Sequence, residues 1–164
     1  MTMQRQIILL TAIRALRMFM IMMPIIVLYW QSHGLTIKDI FVLQVIFSIA
    51  IVVLEIPSGY FADLFGKKLS MVLGCVAGAF GFFLYWWIPS YAGFILAELV
   101  LALSAGFLSG AREALLFETL AFFKRDKEYI KIQGRIASIG TLSEAAAAVL
   151  AGVIASQTSI ETVL

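Results

Sequence analysis

The sequence contains little of the chemistry on which soluble enzymes and metalloproteins depend. It has one cysteine and one histidine in 164 residues. Cys75 lies within an apolar run, so the chain cannot form an intrachain disulfide or build a zinc site. His33 stands beside Gly34, where a solvated turn residue is expected, and no serine lies in a nucleophile elbow. We therefore expect a protein that is not an enzyme and that holds no metal and no cofactor.

Charged residues are also scarce. They make up 13% of the chain, whereas roughly 25% is usual in a soluble domain, and 62% of the residues are hydrophobic. The net charge of +2 is small and scattered, while a nucleic-acid surface would need a clustered basic stripe. The composition therefore predicts a membrane protein whose surroundings are a lipid bilayer, with no nucleic-acid partner.

Five apolar runs are long enough to cross a bilayer, at about 7–30, 38–58, 69–88, 91–117 and 135–156. About 20 helical residues span a hydrocarbon core of about 30 Å. Lipid offers no partner to a free backbone amide, and period-two alternation is absent, so each run should be a helix. The sequence predicts an all-α polytopic membrane protein in which residues 1–164 form a single bundle of about five transmembrane helices.

Lysine and arginine residues concentrate at alternate connections between the predicted spans. Arg5 precedes the first span, Lys67 and Lys68 follow the second, and five more cations lie between positions 124 and 135. Short loops rich in these residues stay in the cytoplasm, so we expect a cytoplasmic amino terminus. Six aromatic residues near the predicted outer interfaces are expected to anchor the helices there; they are Tyr29, Trp30, Tyr85, Trp86, Trp87 and Tyr91.

Small residues recur at helical spacing in three of the predicted spans. Such a spacing lets two helices approach closely, so a packing role is favoured over a ligand role. In the third span, which has no charged residue, the stripe should pack on one side and leave the other side to lipid. The glycines concerned are Gly74, Gly78 and Gly81 in the third span, Gly106 and Gly110 in the fourth, and Gly140 and Gly152 in the fifth.

Charged residues inside the spans are candidates for function, because each costs about 2.5–3.5 kcal/mol at the bilayer centre. Arg17 and Glu144 have opposite charge and matched depth in the first and fifth spans. We hypothesise that they approach one another or share a watery cavity, whereas Arg14 is expected to snorkel to the interface. Glu98 lies outward of the centre of the fourth span, where its carboxyl could be protonated and serve in proton coupling.

Residues 59–68 read Gly-Tyr-Phe-Ala-Asp-Leu-Phe-Gly-Lys-Lys, a turn-like and cationic segment between two spans. This segment resembles the signature loop between the second and third helices of the major facilitator superfamily. Residues 55–59 (Glu-Ile-Pro-Ser-Gly) and 109–120 (Ser-Gly-Ala-Arg-Glu-Ala-Leu-Leu-Phe-Glu-Thr-Leu) are similar to the amino-terminal half of its drug-efflux members. The chain departs from that pattern at Leu64, where the family usually has an arginine.

The resemblance implies roles for seven residues at the cytoplasmic ends of the helices. The gating motif would be Gly59, Asp63, Gly66, Lys67 and Lys68, and its partners would be Arg112 and Glu118. The alternative to a gating role is a structural one, in which the charges around Arg112 form an ion network and the glycines only let the helices pack.

The family fold has two six-helix halves, whereas this chain offers five spans. We therefore expect an incomplete amino-terminal half, with the carboxyl-terminal half missing, from a transporter of a bacterial plasma membrane. By resemblance, it would move a small solute by alternating access, with proton-coupled efflux of drug-like compounds as the leading expectation. The alternatives are uptake of a sugar or metabolite and a truncated, non-transporting membrane fragment or interaction protein.

Overall fold

The computed structural model describes residues 2–157, with side chains as far as Val153, and this part of the chain is helical with short connections. Its α-helices are α1 (Met3–Met18), α2 (Ile26–Ser32), α3 (Ile37–Phe65), α4 (Lys67–Trp87), α5 (Tyr91–Phe122) and α6 (Tyr129–Gln157). Two 3-10 turns, Met23–Ile25 and Asp126–Glu128, precede α2 and α6. Within the described range five stretches are long and apolar enough to cross a membrane, and α1 with α2 forms the first of them. The predicted fold class is confirmed.

The first span is broken, although the sequence predicts one helix over 7–30. Pro24 lies in the 3-10 turn between α1 and α2. A proline inside a helix removes one backbone hydrogen bond, and its ring clashes with the carbonyl of the fourth residue before it, here Met20. The Met23 amide bonds instead to the Met20 carbonyl, at 3.3 Å, as in a tight turn. The break therefore lies at Pro24, whereas α3 continues as a helix through Pro57.

Three helices extend beyond the predicted spans by five residues or more. α3 continues to Phe65 rather than ending at 58, α5 continues to Phe122 rather than ending at 117, and α6 begins at Tyr129 rather than at 135. The predicted spans cover apolar runs, whereas each added segment contains at least one charged residue, namely Asp63, Glu118 or Lys131. Charged residues mark the border of the lipid but do not stop backbone hydrogen bonding, because Glu, Lys and Arg are good helix formers.

The helices form two compact units, each described here by itself. One unit contains α1, α2, the end of α5 from Leu116, and α6; the other contains residues His33–Leu115, with α3, α4 and most of α5. In the first unit α1 packs along α6, and Gly140 of α6 lies directly against Arg14 of α1. A methyl group on Gly140 would come within 2.9 Å of the Arg14 Nε atom.

In the second unit α4 and α5 form a closely packed antiparallel pair. Ser70 donates to the Phe107 carbonyl at 3.0 Å, and Ser104 donates to the Gly74 carbonyl at 2.7 Å. A Cβ atom at any glycine of the α4 stripe would come within 3.0 Å of an α5 side chain. These glycines are Gly74, Gly78 and Gly81, so the predicted close-packing stripe of the third span is confirmed.

The small residues of the other two spans behave unevenly. Gly106 packs against Ser58 of α3, with the Ser58 Oγ atom 2.9 Å from the position of an added Cβ. Around Gly110 and Gly152 an added Cβ would meet no heavy atom within 4 Å. The spacing therefore predicted one packing glycine correctly in each of these two spans, but Gly110 and Gly152 are not packing positions.

Candidate functional site

The segment predicted as a turn over 59–68 is helical except at one residue. α3 runs through Gly59 and Asp63 to Phe65, and α4 begins at Lys67. Gly66 alone joins them, with a φ of 96°, which L side chains rarely adopt. Residues 60–65 include no glycine or proline, so nothing in them interrupts the backbone ladder. The expected loop is therefore a sharp corner at Gly66, and the expectation of a ten-residue hinge was wrong.

An ion pair bridges this corner. The Lys67 Nζ atom lies 3.8 Å from the Asp63 Oδ1 atom, with the Asp63 side chain 73% exposed and that of Lys67 16% exposed. Lys68 is also exposed. Solvent screens the Asp63 carboxylate, and the contact is close to the upper limit for an ion pair, so it contributes little, about 0–1 kcal/mol. The structure thus brings together two residues of the predicted gating motif, and little free energy is needed to break their contact.

The predicted partners of that motif lie on α5. Arg112 is buried, and its Nη2 atom lies 3.4 Å from the Glu113 Oε1 atom, while Glu118 is exposed. The Arg112–Glu113 contact joins neighbouring residues of one helix. Gate contacts from Asp63 to Arg112 or to Glu118 stay predictions.

The carboxyl of Glu98 is buried within the second unit. Glu98 is only 5% exposed and Tyr85 only 2%. The Tyr85 hydroxyl donates a hydrogen bond to the Glu98 carboxyl. Tyr85 lies near the end of α4 and Glu98 in the second turn of α5, about 10 Å along the helix from its start. Both residues therefore lie close to the short α4–α5 connection, enclosed by the helices that it joins. Phe94 stacks obliquely on Tyr85, with 5.5 Å between ring centroids.

Tyr85 was expected to anchor its helix at a membrane interface, but its side chain is buried and bonds to Glu98 instead. Tyr29 and Trp30 are buried too, whereas Trp86 (78% exposed) and Trp87 point outward as interface anchors should. The missed signal is the spacing from the glycine stripe of α4. Tyr85 follows Gly81 by four residues and Gly78 by seven, so it shares the face that packs on α5.

Arg17 and Glu144 lie in the first unit. α1 and α6 run in the same direction, because Arg125 just before α6 contacts Met3 (Nη1 to Sδ, 3.9 Å) while Arg14 contacts Gly140. Arg17 is one turn beyond Arg14, and Glu144 is one turn beyond Gly140. Arg17 is half-buried, and Glu144 is exposed. Their matched depth agrees with the hypothesis that they approach one another, and the pairing itself stays a prediction.

The other candidate groups are the single cysteine, the single histidine and the carboxylates. In residues 2–157 no three His, Cys, Asp or Glu side chains lie close enough together to hold a metal ion. Cys75 is exposed on α4, and His33 makes an edge contact with the ring of Phe94, at 5.9 Å between centroids. The candidate functional groups are therefore the Gly66 corner with its ion pair, and the buried Tyr85–Glu98 pair.

Comparison with known proteins was made for the whole chain. The sequence model described as Major Facilitator Superfamily matches residues 7–164. The chain is also 33% identical over 126 residues to YxaM of Bacillus subtilis (strain 168), which is described as an uncharacterized MFS-type transporter. That alignment covers 74% of this chain and 30% of the relative, so the chain spans about 30% of the length of the curated relative that it matches. No solved structure matches the chain.

Proposed function

Because the chain belongs to the major facilitator superfamily, we propose that it forms part of a secondary transporter that moves a small solute by alternating access. Its five apolar helices and its family make it an integral membrane protein. Transporters of this fold hold the solute near the bilayer midplane between two halves. This chain would supply helices of the amino-terminal half, and the carboxyl-terminal half would be its structural partner.

Proton coupling is the mechanism that the buried Glu98 supports best. An ionised carboxylate within a span is costly, and protonation removes that cost. The Tyr85 hydroxyl offers one hydrogen bond to the ionised form and could instead accept one from the protonated form, since a hydroxyl both donates and accepts. The pair can therefore hold either protonation state without a bulk-water ligand. This observation carries the proposal that Glu98 binds and releases the transported proton.

The Gly66 corner would act as the gate. Since the Asp63 carboxylate is 73% exposed and its contact with Lys67 is long, at 3.8 Å, water can replace that contact, and Asp63 can leave Lys67 for another cation or a helix end at little cost. A gate needs such an exchange, because it must be stable in two states that differ by only a few kcal/mol. Arg112 and Glu118 are the proposed partners on this chain. By the cation count at the connections, this corner and the amino terminus would face the cytoplasm.

The proposed direction is efflux, and the proposed substrate is an amphipathic drug-like compound. The support is the resemblance of residues 55–59 and 109–120 to drug-efflux members of the family. The match to a Bacillus subtilis protein favours a bacterial plasma membrane. Uptake of a sugar or metabolite and a non-transporting membrane fragment are the alternatives, and the experiment below distinguishes all three.

The test is transport by the natural gene product that contains residues 1–164, reconstituted in proteoliposomes with an imposed pH gradient. Ethidium and tetraphenylphosphonium serve as amphipathic probes, and a labelled hexose serves as the uptake probe. We expect Glu98→Gln to abolish accumulation of the probe against its gradient. Exchange of labelled for unlabelled probe should persist, because exchange needs no net movement of protons.

Asp126→Asn is the matched control, because it also removes one carboxylate but from an exposed turn outside the Tyr85–Glu98 pair. It should leave accumulation and exchange unchanged. Normal accumulation by Glu98→Gln would refute the coupling role. Movement of the hexose alone would favour the uptake alternative, and correct insertion with no transport of any probe would favour the non-transporting one.

A further inference from the structure

A cavity of about 410 Å³ lies within the first unit, between the beginnings of α1 and α6. This volume falls within the range of about 300–1,000 Å³ that is usual for small-molecule sites. The lining comes from the first three turns of α1 and of α6, and both helices begin a candidate membrane span. The cavity therefore lies where two spans leave the lipid, at one border of the membrane.

The lining combines two kinds of surface. The isoleucines Ile7, Ile132 and Ile139 supply an apolar wall, and Lys131 and Arg135 supply positive charge. Lys131 and Arg135 are four residues apart on α6, so their side chains emerge on the same face and their charges repel. An anion held between them would remove that repulsion.

The remaining charges of the cavity are already paired with each other. Arg125 donates from Nε and Nη2 to the two carboxylate oxygens of Glu128, at 2.5 Å each. This hydrogen bonding raises the pKa of the Arg125 guanidinium above its ordinary value. The Arg125–Glu128 pair is therefore neutral as a unit. Glu128 also attracts Lys131 and Arg135, but the lining holds three cations and one carboxylate, so its net charge is positive.

We propose that this cavity binds the headgroup of an anionic phospholipid. Lys131 and Arg135 would contact the phosphate, and the isoleucine wall would contact the first part of an acyl chain. A soluble anion would use only the charged half of such a lining, whereas a lipid at the membrane border uses both halves. Basic pockets between transmembrane helices suit anionic headgroups for this reason. The site requires no transport activity and shares no residue with the Tyr85–Glu98 pair.

Lipid binding is tested by native mass spectrometry of the full natural product, stripped of lipid in detergent. The probes are phosphatidylglycerol and phosphatidylcholine with identical acyl chains. The wild type should bind one phosphatidylglycerol more tightly than phosphatidylcholine. The double variant Lys131→Gln/Arg135→Gln should lose about thirtyfold in affinity for phosphatidylglycerol, from roughly fivefold per cation near an anionic headgroup. Its affinity for phosphatidylcholine should not change.

Lys124→Gln/Lys127→Gln is the matched control, because it removes the same charge from the adjoining α5–α6 connection without touching the lining. It should bind phosphatidylglycerol like the wild type. An equal loss in this control would overturn the proposal in favour of non-specific attraction, and equal wild-type binding of both lipids would overturn it as well. Displacement of the lipid by an equal concentration of glycerol 3-phosphate would overturn it in favour of a soluble anion.

A second variant covers the possibility that the double variant does not fold, as judged by its far-UV circular dichroism. Ile139→Trp fills the cavity while leaving all its charges, and Ile139 is exposed enough (41%) to accept a larger side chain. It should lose phosphatidylglycerol binding to a similar extent. Unaltered binding by a folded Ile139→Trp protein would show that the lipid lies elsewhere.

Discussion

Replacing Gly74 by alanine should push α4 away from α5. The added methyl carbon would lie 2.6 Å from the Leu108 Cγ atom, 3.1 Å from the Phe107 Cβ atom and 3.2 Å from the Ser104 carbonyl oxygen. Carbon atoms in favourable contact lie about 3.5–4.0 Å apart. Leu108 can rotate away in part, but a Cβ atom and a backbone oxygen move only with their helix. The helices must therefore separate.

The loss of stability caused by Gly74→Ala can be estimated by comparison with Gly110→Ala. Any glycine-to-alanine change inside a helix gains about 1 kcal/mol of helix propensity, and overpacking of a tight interface costs about 1–3 kcal/mol. Gly110 has no heavy atom within 4 Å of an added Cβ, so its variant should show the gain alone. The difference between the two variants cancels the propensity term. Gly74→Ala should be less stable than Gly110→Ala by about 1–3 kcal/mol.

Unfolding by sodium dodecyl sulfate in lipid–detergent bicelles, followed by far-UV circular dichroism, measures this difference directly. At 1.4 kcal/mol per tenfold change, the unfolding equilibrium should differ between the variants by roughly five- to a hundredfold. Serine and leucine at position 74 should be progressively worse than alanine, since both extend further into α5. Equal stability of the two alanine variants would refute the close α4–α5 contact.

The remaining predictions concern the corner and the charged pair. Gly66→Ala should destabilise by about 1–3 kcal/mol in the same unfolding assay, because its φ of 96° strains any L side chain. Gly59→Ala should instead be neutral or stabilising by up to about 1 kcal/mol, because it is helical and has open space around it; the reverse order would contradict the assignment of the corner to one residue. For Arg17 and Glu144, single charge reversals should destabilise and the double reversal should recover at least about 0.5 kcal/mol in a double-mutant cycle. A coupling near zero would dismiss the pairing.

The all-α class and the number of membrane spans could be predicted, because hydropathy and backbone hydrogen bonding leave a bilayer-spanning chain few options. The extent of α3 could not, because Asp63 and its neighbours mark the end of the lipid and not the end of the helix. The same reasoning misplaced the start of α6. Pro24 was present in the sequence, and its effect on the first span follows from elementary backbone chemistry.

The environment of Glu98 was harder to predict because it depends on a partner 13 residues away. The sequence shows a carboxyl within a span and suggests that it needs compensation. It does not show which side chain provides it, and the neighbouring Trp86 and Trp87 make Tyr85 look like an interface residue. The spacing of Tyr85 from the α4 glycines separates it from those tryptophans, because it places Tyr85 on the face that packs on α5. Which α5 side chain Tyr85 meets there is fixed by tertiary packing.

The glycine stripe of α4 connects this packing to the candidate proton site. Along α4, successive positions 74, 78, 81 and 85 face α5, and their partners on α5 run in the opposite order through Ser104 and Leu101 to Glu98. At the first three positions α5 lies so close that only glycine fits, and at position 85 the phenol of Tyr85 bonds to Glu98. Because one helix face provides all four, the close approach that stabilises the α4–α5 pair also encloses the Glu98 carboxyl. A separation of α4 from α5 would thus expose the Glu98 carboxyl, whereas the Gly66 corner joins α4 to α3 and does not depend on the contact with α5.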